Sequence, residues 1–164
     1  MRLYLTHYLE MKMIVYKKAK LTDIKNMQEL VKPEVDNGII LNRSNDEIST
    51  NIRSYILAFE NEVLVGFGAL HVHAPDLAEV RSLIVKEDFR GKGVGRQIVL
   101  SLINEGKNLE IKKVFTLTYQ KEFFEKNGFV EIPKESLPVH KIWADCIKCK
   151  HFPVCDEIAL IINI

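Results

Sequence analysis

Val85-Lys86-Glu87-Asp88-Phe89-Arg90-Gly91-Lys92-Gly93-Val94-Gly95-Arg96 sets three glycines and three basic side chains directly ahead of an amphipathic run. Val94, Ile98, Val99, Leu102 and Ile103 recur there at helical spacing. A glycine turn opening a helix is an anion site: first-turn N–H groups lack intrahelical partners, and the helix dipole is positive at that end. Glycine removes the side chains that would keep a phosphate from those N–H groups. Arg90, Lys92 and Arg96 add charge where a phosphate would sit. A plain strand-to-helix turn with solvated basic residues has the same composition. The Gly-Lys-Ser/Thr ending of a P-loop is missing, and the third glycine comes too early for a dinucleotide fingerprint.

A second constellation is Cys146-x-x-Cys149-x₅-Cys155. Cys-x-x-Cys is zinc-ligand spacing, so Cys146, Cys149 and Cys155 are candidate ligands of a structural Zn, with His151 or Asp156 completing a tetrahedron. Three reduced thiols in a loop explain the same residues. His71 and His73 alternate along a strand without a carboxylate at ligand spacing, and read as strand histidines, one of them facing a pocket.

These residues need elements to hold them. Ile14 to Ala19 has strand content, and a helix follows from Leu21-Thr22-Asp23, with Thr22 as cap and Pro33 and Gly38 marking its end. Ser44 and Glu47 form a capping box for a second short helix. Tyr55–Phe59 and Val63–Val72 read as a hairpin around Glu60-Asn61-Glu62, and Leu77–Val85 as the next strand. After the glycine helix come a strand at Lys113–Thr118 and a short helix at Phe123-Phe124, closed by Gly128. A final strand runs from Ile158 to Ile164. Its alternation suits pairing within the chain or across a homodimer. Residues 1–12 read as an extension, mobile unless tied down. Residues 13–164 then form one α/β domain with a Cys-containing loop at 133–156.

A chain of 164 residues buries a sizeable core, roughly 68–70% of its unfolded surface. Lys+Arg at 23 against Asp+Glu at 22 leave a net charge of +1, no whole-molecule field for nucleic acid or an anionic membrane. No apolar run approaches the roughly 18–20 residues of a membrane span, and no signal-peptide pattern opens the chain. Three cysteines exclude a fully paired disulfide framework. A cytoplasmic protein is the expectation.

Arg90-Gly91-Lys92-Gly93-Val94-Gly95 resembles the Arg/Gln-x-x-Gly-x-Gly/Ala signature of the GNAT acetyltransferases, and Asn127-Gly128-Phe129 resembles their Glu-Lys-x-Gly-Phe element. The order of elements from Met13 to Phe129, with the final strand, is similar too. The resemblance implies a mixed, mostly antiparallel central sheet with splayed central strands, flanked by helices. It implies that the amides of Arg90, Gly91, Lys92, Gly93, Val94, Gly95 and Arg96 bind the pyrophosphate of acetyl-CoA, and that the backbone of Leu83, Ile84 and Val85 pairs with the pantetheine arm. Gly38-Ile39-Ile40-Leu41-Asn42-Arg43-Ser44, Leu70-His71-Val72, Leu77 through Leu83 and Trp143-x-Asp145-Cys146 resemble the short amino-acid N-acetyltransferases. These are similar to the acetyltransferase part of N-acetylglutamate synthase, which opens arginine biosynthesis. Asn42 stands where that pattern has proline.

Acetylating an amine with a thioester requires a neutral amine, while an α-amino group is largely protonated near neutral pH. Glu79 matches the family's base position and can take the proton directly or through water. Arg81, two residues on, projects to the same strand face, where it can clamp a substrate carboxylate or pair with Glu79 itself. Arg43 is a second clamp and Lys141 a weaker third. The family's tyrosine acid falls at Phe124, which cannot donate a proton; Tyr119 or Ser82 can substitute, or the thiolate leaves unaided. The resemblance thus implies N-acetylation of an amino acid, L-glutamate first and glutamine next, by direct attack in a ternary complex. Other amine acceptors (a peptide N-terminus, a polyamine, a small molecule) and a non-catalytic acyl-CoA-binding or metal-sensing module are the alternatives. Cationic acceptors want an acidic pocket, which Arg43 and Arg81 oppose.

Overall fold

The computed structural model describes residues 13–151 and 154–164, without the side chains of 142–144; the extension expected at 1–12 lies outside them. In chain order the elements are β1 (Ile14–Lys18), α1 (Ile24–Asp36), α2 (Asn45–Thr50), β2 (Tyr55–Glu60), β3 (Val63–Ala74), β4 (Leu77–Val85), α3 (Val94–Asn108), β5 (Lys113–Thr118), α4 (Lys121–Lys126), β6 (Val130–Ile132), α5 (Val139–Ala144) and β7 (Ile158–Asn163). The seven strands form one sheet in the order β1-β2-β3-β4-β5-β7-β6. Every neighbouring pair is antiparallel except β4 and β5. This is the mixed, mostly antiparallel sheet that the resemblance implies. β7 pairs with β5 and β6 of its own chain, which answers where the alternating tail belongs.

Local chemistry accounts for most boundaries. Ser44 Oγ accepts from the Glu47 amide at 3.1 Å while Glu47 Oε2 accepts from the Ser44 amide at 2.9 Å, the reciprocal cap that starts α2. Asn61 and Glu62 carry φ of 47° and 65°, the two left-handed residues of a tight hairpin turn between β2 and β3. Two expectations fail at α1. Thr22 does not cap it; instead the Asp23 carboxylate accepts from the Lys20 amide at 2.8 Å across a short 3₁₀ turn. Pro33 does not end it, because the ring deletes one donor, while the buried Val31 keeps the next turn docked and the Asn37 amide still reaches the Pro33 carbonyl. Between 133 and 156 the loop expected to be irregular contains α5, and β6 precedes it; each is too short to show periodicity.

Two apolar layers sandwich the sheet. One joins α3 and α4 to it through Ile98, Val99, Leu102 and Phe124; the other joins α1 and α2 through Met27, Val31 and Ile48. β4 changes its allegiance between them. Ala78 and Val80 face α3, which aims Glu79 and Arg81 to the opposite side. Ser82 then adopts a φ of 55°, an extra residue that shifts the register against β3, so that Leu83 and Val85 return to the α3 side.

The parallel pairing is short. β4 and β5 meet only at Leu77–Lys113, Ala78–Val114 and Glu79–Phe115, and beyond that point the strands diverge. Thr116 Oγ1 donates to the Val80 carbonyl at 2.9 Å and pins the base of the fork. A Cβ on Gly66 of β3 would lie 2.9 Å from the Ile84 carbonyl on β4, so glycine sets how closely these strands approach beside the fork. Gly66→Ala is expected to cost about 1–3 kcal/mol in chemical denaturation. An unchanged midpoint would show that β4 gives way freely.

Candidate active site

The fork opens into a cavity of about 980 Å³ whose wall runs from Glu79, Arg43, Arg81 and Lys141 to the glycine turn and the cysteine segment. At one end, Gly91 and Gly93 hold φ of 73° and 83°, and a Cβ on either would point into open space. Gly93 caps α3, leaving the first-turn amides directed outward. Leu83, Ile84 and Val85 line the adjoining wall. Those surroundings fit a phosphate at the turn and an extended chain along β4. Of the basic residues, Arg96 lines the cavity. Arg90 lines it too, but its Nη2 pairs with Glu34 at 3.1 Å and its Nε donates to the Val85 carbonyl at 2.9 Å, so it braces the turn. Lys92 turns away over the Phe89 ring, 5.5 Å from its centroid, and the Val94 side chain belongs to the core.

At the other end lies a buried charge cluster drawn from four segments. Glu79 is 1% exposed, and its carboxylate accepts from His73 Nε2 at 2.8 Å and from Lys141 Nζ. Lys141 also donates to Asp145 Oδ2 at 3.1 Å. Asp145 in turn sits between two guanidiniums, with Arg43 Nη1 at 3.1 Å and Arg81 Nη1 at 3.3 Å. Arg81 therefore pairs with Asp145, not with Glu79. The Nε groups of both arginines are buried with no partner among the described residues. Such donors are costly to leave unspent.

Burial works to raise the Asp145 carboxyl, but Lys141 and Arg43 outweigh it and hold the group well below the usual carboxylate range. Glu79 behaves alike: burial raises it, and the His73 hydrogen bond and Lys141 bring it below its ordinary value. Lys141 is raised, since Glu79 and Asp145 more than offset its burial. His71, whose ring lies 4.7 Å from that of His73, is pushed down to about 4 by burial, then by Arg81 and His73. Glu157, half-buried in the cavity wall, is pushed up to about 7, chiefly by burial.

The tyrosine expected as an acid, Tyr119, lines the cavity with its hydroxyl buried and unpartnered among the described residues. Burial and Glu157 raise its pKa, so it keeps its proton at neutral pH. Phe124 is core, and Ser82 lines the wall. Cys146, Cys149 and Cys155 are free thiols at the cavity rim. Among the described residues no three His, Cys, Asp or Glu side chains gather to hold a metal ion. The zinc tetrahedron expected from their spacing is not gathered among the described residues. Sequence reasoning underrated Lys141 and gave no role to Asp145, His140 or Glu157. The Trp143-x-Asp145-Cys146 motif was the one available signal, since α5 brings Lys141 and Asp145 to one face at i, i+4.

Residues 21–129 match the acetyltransferase (GNAT) family, and the chain belongs to it. It is 38% identical over 147 residues to an uncharacterized N-acetyltransferase of Chlorobaculum tepidum, covering 87% of this chain and 92% of that one. It is 32% identical over 128 residues to the amino-acid acetyltransferase of Mycobacterium tuberculosis, covering 76% of this chain and 72% of the relative. In fold it is similar to N-acetylglutamate synthase of Neisseria gonorrhoeae, solved in complex with coenzyme A and N-acetyl-glutamate. That likeness has a TM-score of 0.82 at 22% identity, over 92% of this chain and 35% of the longer one. No described helix is long and apolar enough to cross a membrane.

The cluster makes stability depend on pH in two windows. The unfolded state takes up a proton on His71 below about 6.5, which the folded state resists down to about 4, so stability falls as pH drops between these values. Asp145 and Glu79, depressed in the fold, contribute stability that is present above about pH 4 and lost below it. Thermal midpoints measured from pH 8 to pH 3 are expected to decline in both ranges, and His71→Asn to flatten the upper one. Equal slopes in the two proteins would rule His71 out as the group responsible.

Proposed function

We propose that this acetyltransferase moves the acetyl group of acetyl-CoA to the α-amino group of an amino acid, L-glutamate first, within a ternary complex. One observation carries the reading: two arginines, Arg43 and Arg81, line the same cavity as a buried glutamate and a glycine-capped helix. The glycine turn and Arg96 would hold the pyrophosphate, and the open edge of β4 at Leu83, Ile84 and Val85 would hydrogen-bond the pantetheine arm. The thioester carbonyl then lies near the fork, opposite Glu79.

Arg43 and Arg81 would grip a substrate carboxylate, which sets the amine beside Glu79. Glu79, ionised at neutral pH, would accept a proton from the ammonium and free the lone pair for attack on the carbonyl. As the C–N bond forms and the C–S bond breaks, the departing thiolate needs a proton; Tyr119, protonated and unpartnered among the described residues, would supply it and regain one from the second proton that the nitrogen sheds as it becomes the amide. Among the described residues the hydrogen-bond partners of Glu79 are His73 and Lys141 and no cysteine, in keeping with direct attack rather than an acetyl-enzyme. Glutamine is the second reading, favoured by Asp145: a carboxylate already between the arginines and Lys141 lowers the positive charge left for a dicarboxylate.

CoA release measured over the twenty amino acids and several polyamines tests the acceptor class. Turnover confined to glutamate or glutamine is expected, with Glu79→Gln lowering kcat by about 10²–10⁴. Turnover on polyamines alone would overturn the amino-acid reading. Arg43→Ala and Arg81→Ala are each expected to raise the amino-acid KM about 10- to 100-fold, the worth of a charge-assisted hydrogen bond. The KM for acetyl-CoA should hold; a rise in both would mean that the arginines support the whole cavity instead.

A further inference from the structure

Glu79 serves as a base only while its carboxylate is ionised and turned the right way, and at 1% exposure bulk water does neither for it. Its two oxygens are held from different elements. Lys141 Nζ donates to Oε1, and His73 Nε2 stands 2.8 Å from Oε2. An ionised carboxylate has no hydrogen to give, so His73 Nε2 carries the proton and donates it. Each oxygen keeps a further lone pair for an incoming ammonium.

β3 departs from its ladder to supply that imidazole. Val72 pairs with Ala78 and Ala74 with Leu77, so His73 is one residue in excess against β4, a bulge of the kind that re-aims a side chain. The His73 side chain is 3% exposed, and its ring centroid lies 5.3 Å from that of Phe115 on β5, 4.7 Å from His71 and 4.9 Å from His140. Its other nitrogen, Nδ1, is 2.7 Å from Nε2 of His140, which is exposed on α5. A neutral ring with its hydrogen on Nε2 offers Nδ1 as an acceptor, so His140 Nε2 is the donor there. The donors then run in series from His140 to His73 to Glu79, each bond polarising the next. Adjacent residues of α5, His140 and Lys141, thus reach the two oxygens of one carboxylate, the first of them through an imidazole. The other titratable and charged groups around Glu79 are His71 of β3, Arg81 of its own strand and Asp145 beyond Lys141, with Cys146 and Glu157 in the same cavity wall. Compensating a buried charge calls for a donor at Oε2. It does not call for a second imidazole that fixes which nitrogen of the first carries the hydrogen.

We propose that His73 is the positioning residue of the base and that His140 holds it in the working tautomer. The inference rests on the function proposed above, in which Glu79 takes a proton from the ammonium. The hydrogen of His73 stays on Nε2 throughout; it favours the ionised carboxylate and keeps the free lone pairs turned to the cavity. Neither histidine touches a substrate.

Nitrogen-15 spectra of histidine-labelled protein at pH 8 test the geometry without any substrate. His73 is expected to show a proton on Nε2 and a bare Nδ1, its signals assigned by their loss in His73→Gln; a proton on Nδ1 would overturn the chain. The pH profile of kcat/KM for the amino acid tests its use. Losing the donor disfavours the ionised carboxylate, so His73→Leu is expected to move the acid limb upward by about 1–2 pH units. Its kcat should fall about 10-fold or more with the KM for acetyl-CoA unchanged. His73→Gln, whose amide can donate from the same place, is expected to return the limb toward wild type. His140→Ala, an exposed change that leaves the core intact even where His73→Leu does not fold, is expected to move the limb the same way by a smaller amount, and His140→Gln to restore it. A limb that stays at its wild-type position in His140→Ala, or in a folded His73→Leu, would overturn the proposal and leave the acetyl-transfer reading intact. Absence of turnover by the wild-type protein on every amine would overturn both, whichever nitrogen of His73 is protonated.

Discussion

Three residue pairs hold β4 to β5, and what happens after the third decides the rest of the molecule. A parallel pair that continued would spend the outer hydrogen-bonding edge of β4 on β5 and close the sheet. Here the strands part after Glu79–Phe115, and the edge of β4 through Val85 is left to face a cavity. An unpaired strand edge inside a protein is a liability unless something occupies it. An extended ligand with amide groups is the occupant such an edge fits. The Ser82 bulge belongs to the same constraint. It returns Leu83 and Val85 to the α3 core after Glu79 and Arg81 have been turned the other way, so one strand carries both the buried carboxylate and the open edge.

The charge cluster is the second consequence of the fork. Burying Glu79 alone would be prohibitive, and the chain solves it by collecting compensating groups from β3, the α1–α2 loop and the α5 segment. Such clusters are not a cheap source of stability, because desolvation offsets much of the Coulombic gain. Their worth is geometric. Each of Arg43, Arg81 and Lys141 is fixed by Asp145, so their remaining donors are presented in one orientation rather than sampled among many.

The sequence was most readable where local chemistry suffices. Ser44 and Glu47 announced α2, Asn61 with its neighbours the hairpin, and the apolar spacing from Val94 the helix α3. The glycine turn and Glu79 were legible as well, although only resemblance, not spacing, gave Glu79 its chemical sense. What could not be read was made by chain segments far apart. Asp145 lies 102 residues from Arg43, and nothing local in either marks the pairing. Lys141 and His140 sit on a six-residue helix too short to announce itself. The zinc reading of the cysteines shows the opposite hazard: spacing alone suggested a cluster that the described side chains do not gather.

That segment also explains why recognition and folding are joined here. Leu137 packs on Phe115 and Ala159, anchoring the chain that leads into α5. From that anchor α5 delivers Lys141 and Asp145 into the fork and leaves His140 outside it. Loss of Asp145 would leave three cations in one buried site, and loss of Lys141 would leave Glu79 leaning on His73 alone; breaking a buried pair in this way costs about 3–5 kcal/mol. A change to this charge cluster therefore also loosens the segment that carries it. On the proposed reading, the acceptor is selected mainly outside the glycine signature, by a short helical segment that is held down by the charges it brings to the cavity.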